Sequence, residues 1–173
     1  MDLPFDVTPL PACSPPSVDD QLPMAETTLV TAETWRAGEV PPADAAGPIT
    51  VVFHPMIGAF PTTYLYAGLA EAGVLETSRV VGVTVSDPYA IAGFLREHGH
   101  PATIASDPQR ALATATDLSL PLDGLPGLTA HRPAVFVTTP DGTIRYRWVA
   151  DEWPQFPAYP EIAEAVSGVR GGR

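Results

Sequence analysis

The side chains able to do chemistry in this 173-residue chain gather around one stretch, HPMIGAFPTTY, residues 54–64. His54 closes the apolar run ITVVFH, so it stands at a strand end, where open α/β sheets face their ligand crevice. An imidazole at such a place serves as a general base or as a hydrogen-bonded structural group, and the residues alone leave both readings open. Thr62 and Thr63 open a helical stretch. A first-turn threonine caps free N–H groups; alternatively its hydroxyl orients a polar ligand where the positive helix end attracts an anion or developing negative charge.

Other chemistries are excluded by what the chain lacks. Cys13 is the only cysteine, so neither an internal disulfide, a CxxC pair nor a thiolate metal cluster can form in one chain. All nine basic residues are arginine, which removes Schiff-base lysine chemistry and the phosphate-binding lysine of a P-loop. Twenty acidic residues against nine basic give a net charge of −11, unfavourable for nucleic acid and for anionic membranes. The four histidines are scattered, and His98 and His100 flank Gly99 at an expected helix end as surface residues. No metal and no cofactor is expected.

These side chains depend on elements that can be read from the pattern. Residues 1–47 form a lead-in broken by PLPACSPPS and EVPPADAAGP, with one short edge strand expected over Thr27 to Trp35 and Trp35 packed on the body. One domain follows over residues 48–170. ITVVFH is its first strand, and TTYLYAGLAEAGVLE a helix with Leu65, Leu69 and Ala72 on one face, capped by Thr62 or Thr63. SRVVGVTVSD is the second strand; Asp87 and Pro88 start a helix that stops at Gly99. PATIASD is a short third strand, Asp107 and Pro108 open the helix QRALATATD, and LSLPLDGLPGLTAHR is a loop. PAVFVTTPDGTIRYRWVA is a hairpin with Ile144, Tyr146 and Trp148 on one face and Arg145, Arg147 and Val149 on the other. After the aromatic loop DEWPQFPAYP, a last helix begins at Pro160 and ends at Gly168. The class is α/β, a central mixed sheet with helices on both faces. No run reaches the roughly 18 apolar residues of a membrane span. The N-terminus also lacks the basic opening and apolar run of a secretory signal, so the cytoplasm is the expected location.

Three stretches, VVFHPMIGAFPTTY, VVGVTVSDPYAIAGFLREHGHPATIASDP and PAVFVTTPDGTIRYRWV, fall in order over residues 49–169 and resemble the peroxiredoxin (redoxin, AhpC/TSA) family. The resemblance implies a thioredoxin-like fold of peroxiredoxin type and a homodimer. It implies a pocket in which Pro55, Phe60, Pro61, Tyr64, His131 and Pro133 surround the catalytic candidates His54, Thr62, Thr63 and Arg132, with Pro133 in the cis form. Trp148, Trp153, Phe156 and Tyr159 would wall that pocket, form a dimer surface or fasten a loop to the sheet. The chain departs from the family at one decisive position. Counting PxxxTxxC from Pro55 places the cysteine position on Thr62; aligning Ala59 and Phe60 with the family's Ala-Phe-Thr places it on Tyr64. A threonine hydroxyl has no thiolate to attack a peroxide and no sulfenic state to recycle. Peroxidase activity is therefore expected to be absent. The old pocket is expected to take a small molecule, as a binder or a non-redox enzyme. The alternatives are a non-catalytic scaffold and residual redox activity through Cys13.

Overall fold

Runs rich in Val, Ile, Thr and Phe supply the central strands, and two neighbouring ones are buried along nearly their whole length. These are β4 (Ile49–Phe53) and β5 (Arg79–Thr84). The computed structural model describes residues 6–122 and 125–172; the first five residues of the lead-in and residues 123–124 of the expected loop lie outside it. The remaining strands are β1 (Thr8–Pro9), β2 (Ala25–Val30), β3 (Trp35–Val40), β6 (Thr103–Ser106), β7 (Ser119–Pro121), β8 (Thr129–His131), β9 (Ala134–Thr138), β10 (Ile144–Val149) and β11 (Glu152–Trp153). The helices are α1 (Phe60–Glu71), α2 (Val74–Thr77), α3 (Pro88–His98), α4 (Ala111–Ala115) and α5 (Tyr159–Arg170).

One seven-stranded sheet runs β10-β9-β4-β5-β6-β2-β3. The pairs β4/β5 and β5/β6 are parallel, joined through the helices between them, and the outer pairs are antiparallel, so the sheet is mixed. Alternate residues serve opposite faces. Val52, Val80, Ile104 and Val135 pack against Leu65, Leu69, Ile91, Leu95, Ile162 and Val166 of the three long helices. On the other face Val51, Phe53, Val81 and Phe136 meet Leu22, Leu112 and Leu118, so that α4 and irregular chain cover it. Both faces carry helix, but unequally. Each fully buried Leu, Ile or Phe is worth about 1.5–3 kcal/mol, so these two layers, rather than the exposed edge hairpin, hold the sheet.

Several expectations change in detail. The single edge strand over Thr27 to Trp35 is a hairpin, β2/β3, docked antiparallel on β6. Trp35 is exposed, its ring set edge-to-face with that of Tyr89 at 4.6 Å between centroids. Helix α1 begins two residues earlier than Thr62, because Pro61 supplies a helix-ready φ at its first turn. It breaks where Gly73 turns left-handed at φ 72°. The stretch after Leu118 holds the hairpin β7/β8, too short and too rich in Pro and Gly to show in the pattern. A bulge between Ile144 and Tyr146 splits the face expected for β10. Ile144 joins the α4 side, while Tyr146 and Trp148 pack on the long-helix side. Helix α5 runs through Gly168 to Arg170. Asp87 caps α3 as expected, its Oδ1 accepting from Tyr89 N–H at 2.8 Å and Ala90 N–H at 3.1 Å.

Candidate functional site

His54 follows β4 directly, and β9 antiparallel to β4 pairs Ala134 with Phe53, so Pro133 and His54 come to the same end of the sheet. There His54, Pro55, Pro61, Thr62, His131, Arg132 and Pro133 are buried; Phe60 and Thr63 are half-buried, and Tyr64 is exposed. The Arg132–Pro133 bond is trans; among the described residues the cis peptide bonds are Val40–Pro41 and Trp153–Pro154. The expected cis-proline is therefore not found.

His54 has partners at both ring nitrogens. Nδ1 lies 3.0 Å from the Pro55 carbonyl and 3.3 Å from Thr62 Oγ1. A carbonyl only accepts, so Nδ1 carries the proton and Nε2 accepts from the Tyr66 hydroxyl, 3.2 Å away. Burial drives the imidazole pKa down to about 3, only partly opposed by the Pro55 carbonyl, with the charge of His131 adding to the drop. Burial also raises the Tyr66 phenol, which keeps its proton and stays a donor. Gly82 makes this pair possible: a Cβ there would lie 1.9 Å from the Tyr66 hydroxyl and 2.9 Å from His54 Nε2.

Thr62 does not cap α1, nor does Thr63. The N-cap residue is Ala59, without a side-chain hydrogen bond. The Thr62 hydroxyl turns back on the loop and donates to the Met56 carbonyl at 3.1 Å. The Pro55 carbonyl is also held by the Thr84 hydroxyl at 2.6 Å. Outside this turn Phe60, Tyr64 and Phe156 meet edge-on at 5.9–6.3 Å, and the Tyr159 hydroxyl donates to the Tyr64 carbonyl at 3.2 Å. The aromatic loop is thereby fastened to α1. His100, expected on the surface, is half-buried against Tyr66 with ring centroids 5.6 Å apart, and desolvation lowers its pKa.

The neighbouring pair is built differently. His131 Nε2–H donates to Asp107 Oδ2 at 2.8 Å, and the Asp107 carboxylate also accepts from the amides of Ala111, Leu112 and Ala113 at 2.8, 3.1 and 3.4 Å. Arg132 is 2% exposed. Its Nη1 donates to the Ala150 carbonyl at 2.9 Å and its Nη2 to the Pro11 carbonyl. Among the described residues His131 Nδ1 and Arg132 Nε are buried without a partner. No group of three metal-ligating side chains is found among the described residues. Three clefts, of about 400, 330 and 310 Å3, are lined by other residues than His54, Thr62 or Arg132.

The model of the AhpC/TSA family matches residues 18–147. The chain belongs to the AhpC/TSA family. No curated protein sequence matches it. Among solved structures, Mycobacterium tuberculosis AhpC is similar at 16% identity and a TM-score of 0.70, covering 92% of this chain and 96% of that one. Peroxidoxin BcpB from the same organism shares 19% identity at a TM-score of 0.68, over 90% and 97% of the two chains. The reduced 2-Cys peroxiredoxin of Plasmodium vivax shares 13% at 0.68, over 90% and 97%. At these identities the likeness shows the fold, a peroxiredoxin-type thioredoxin fold. As a member of the AhpC/TSA family, this chain carries a single cysteine, Cys13, half-buried in the lead-in.

Sequence reasoning missed Tyr66, Thr84, Gly82 and Asp107 as partners of the site residues. A signal existed for one: Tyr66 lies four residues after Thr62 and so shares its helix face. The partnership of Asp107 with His131 spans 24 residues and had none.

Proposed function

We propose that this AhpC/TSA-family chain does not reduce peroxide at the first turn of α1 and uses the fold to bind a small molecule. The observation that carries the reading is Thr62. It is a buried residue of that turn, and its hydroxyl holds two backbone carbonyls of the active loop instead of presenting a thiol. In the other register the position falls on Tyr64, which faces outward and offers no sulfur either. The reading puts binding ahead of acid–base turnover, because a neutral imidazole with both nitrogens engaged is a poor base near pH 7. By the family resemblance the chain forms a homodimer, for which the aromatic ridge of Phe60, Tyr64 and Phe156 is the supporting surface. Location in the cytoplasm belongs to the same reading; among the described residues no helix is long and apolar enough to cross a membrane.

The test is peroxide consumption by the purified, metal-free full chain with a dithiol reductant. Wild type and Cys13→Ser should both run at background. Steady turnover by wild type overturns the reading, and its loss in Cys13→Ser would assign the activity to the lead-in.

A further inference from the structure

Arg132 is a buried cation without a counter-charge. Among the described residues no carboxylate lies within ion-pair distance of it, and its acceptors are two backbone carbonyls. A guanidinium presents Nε–H and Nη2–H along one edge, spaced for the two oxygens of a carboxylate. Here that edge meets a single neutral oxygen, the Pro11 carbonyl on Nη2, and Nε has no partner. Leaving a buried charged donor unmatched is costly, whereas the Ala150 carbonyl on Nη1 keeps the group aimed.

The Pro11 carbonyl belongs to a thin strap. Residues 8–11 are held by the two-residue pairing of β1 with β11 and by Leu10 N–H on the Asp151 carbonyl. The same strap forms one wall of a cleft of about 330 Å3 whose other walls include Leu120, Leu125 and Trp153. That volume and lining suit a compact apolar body. Exposed Asp151 and Glu152 on the strap's partner segment disfavour a second negative charge on the ligand.

We propose that Arg132 is a carboxylate-binding residue: a small apolar monocarboxylate displaces the Pro11 carbonyl, pairs bidentately with Nε–H and Nη2–H, and rests its hydrocarbon part in the Trp153 cleft. This deepens the small-molecule reading and rests on it.

The test titrates the full chain with phenylacetate and, separately, with phenylacetamide, by calorimetry and by the arginine Nε–H signals in 1H–15N spectra. Arg132 is assigned by the signal that disappears in Arg132→Lys. Expected are saturable binding of the acid at least tenfold tighter than the amide, a shifted Arg132 Nε–H signal, and loss of binding in Arg132→Gln. Because Arg132→Gln alters a buried site, Leu125→Trp at the exposed rim provides a second block that leaves the fold alone and should also abolish binding. Equal affinity for acid and amide overturns the carboxylate role while leaving small-molecule binding standing. Binding of neither overturns the site, and peroxide turnover, measured separately, strikes the parent reading instead.

Discussion

His54 and the His131–Arg132 pair occupy the same end of the sheet and are equally hidden from solvent, yet their polar atoms are treated in opposite ways. Around His54 the groups are neutral and matched: the Pro55 carbonyl, the Thr62 hydroxyl and the Tyr66 phenol partner the imidazole. The Met56 carbonyl and the Thr84 hydroxyl complete the network one bond further out, and burial is the largest influence on the charge of the imidazole. Around His131 and Arg132 full charges are enclosed, a carboxylate and a guanidinium, and each residue keeps an unpartnered nitrogen. Burial therefore does not separate scaffold from site in this protein; satisfaction of the buried polar atoms does. By that measure the α1 turn is locked structure, whereas the strap-covered side keeps buried donors without partners among the described residues.

The largest effect expected from breaking this contrast is at Asp107. Asp107→Ala strips His131 of its partner and three α4 amides of the acceptor they donate to, and should cost roughly 3–5 kcal/mol in urea unfolding. A loss under about 1 kcal/mol would mean that the enclosed pair is not what stabilises that side.

Next in size is the pH dependence tied to His54. Its folded pKa of about 3 lies below the 6.5 of the unfolded chain, so the unfolded state takes up the proton first as pH falls. Stability is complete above that unfolded value and declines through the window down to about 3, by roughly 3 kcal/mol between pH 7 and pH 4. His54→Gln should flatten this slope in a series of urea midpoints. His100, lowered in the same direction but only half-buried, should contribute less, and Asp44 and Asp141, both below 3.8, act only under pH 4. An unchanged slope in His54→Gln would detach the acid sensitivity from the locked turn.

The smallest of the three sharpens the locked side itself. Gly82→Ala pushes a methyl between Tyr66 and His54, with an expected cost of about 1–3 kcal/mol. Full stability, together with an unshifted Tyr66 ring signal, would show that the hydroxyl-to-imidazole bond is not what holds the end of β4.

Much of the fold was legible because its signals are local. The cap at Asp87, the stop at Gly99 and the turn at PDG are each read from two or three adjacent residues. What escaped detection is held by distant partners. The β2/β3 hairpin gains its place from β6, some 75 residues on, and β7/β8 is too short to carry a periodicity of its own. The Thr62 cap failed for a local reason of the opposite kind: Pro61 lies in a first turn that begins at Phe60, which puts Thr62 inside the helix, where its hydroxyl donates to the Met56 carbonyl.

The amino-acid order by itself determined that no thiol stands in the active loop, that no lysine chemistry is available, and that buried strands alternate with helices, since composition and periodicity are properties of the chain alone. Only the tertiary structure decided which buried groups are content and which are not. A hydrogen bond needs a partner within about 3 Å, and the partners of His54, His131 and Arg132 come from segments separated by up to 121 residues.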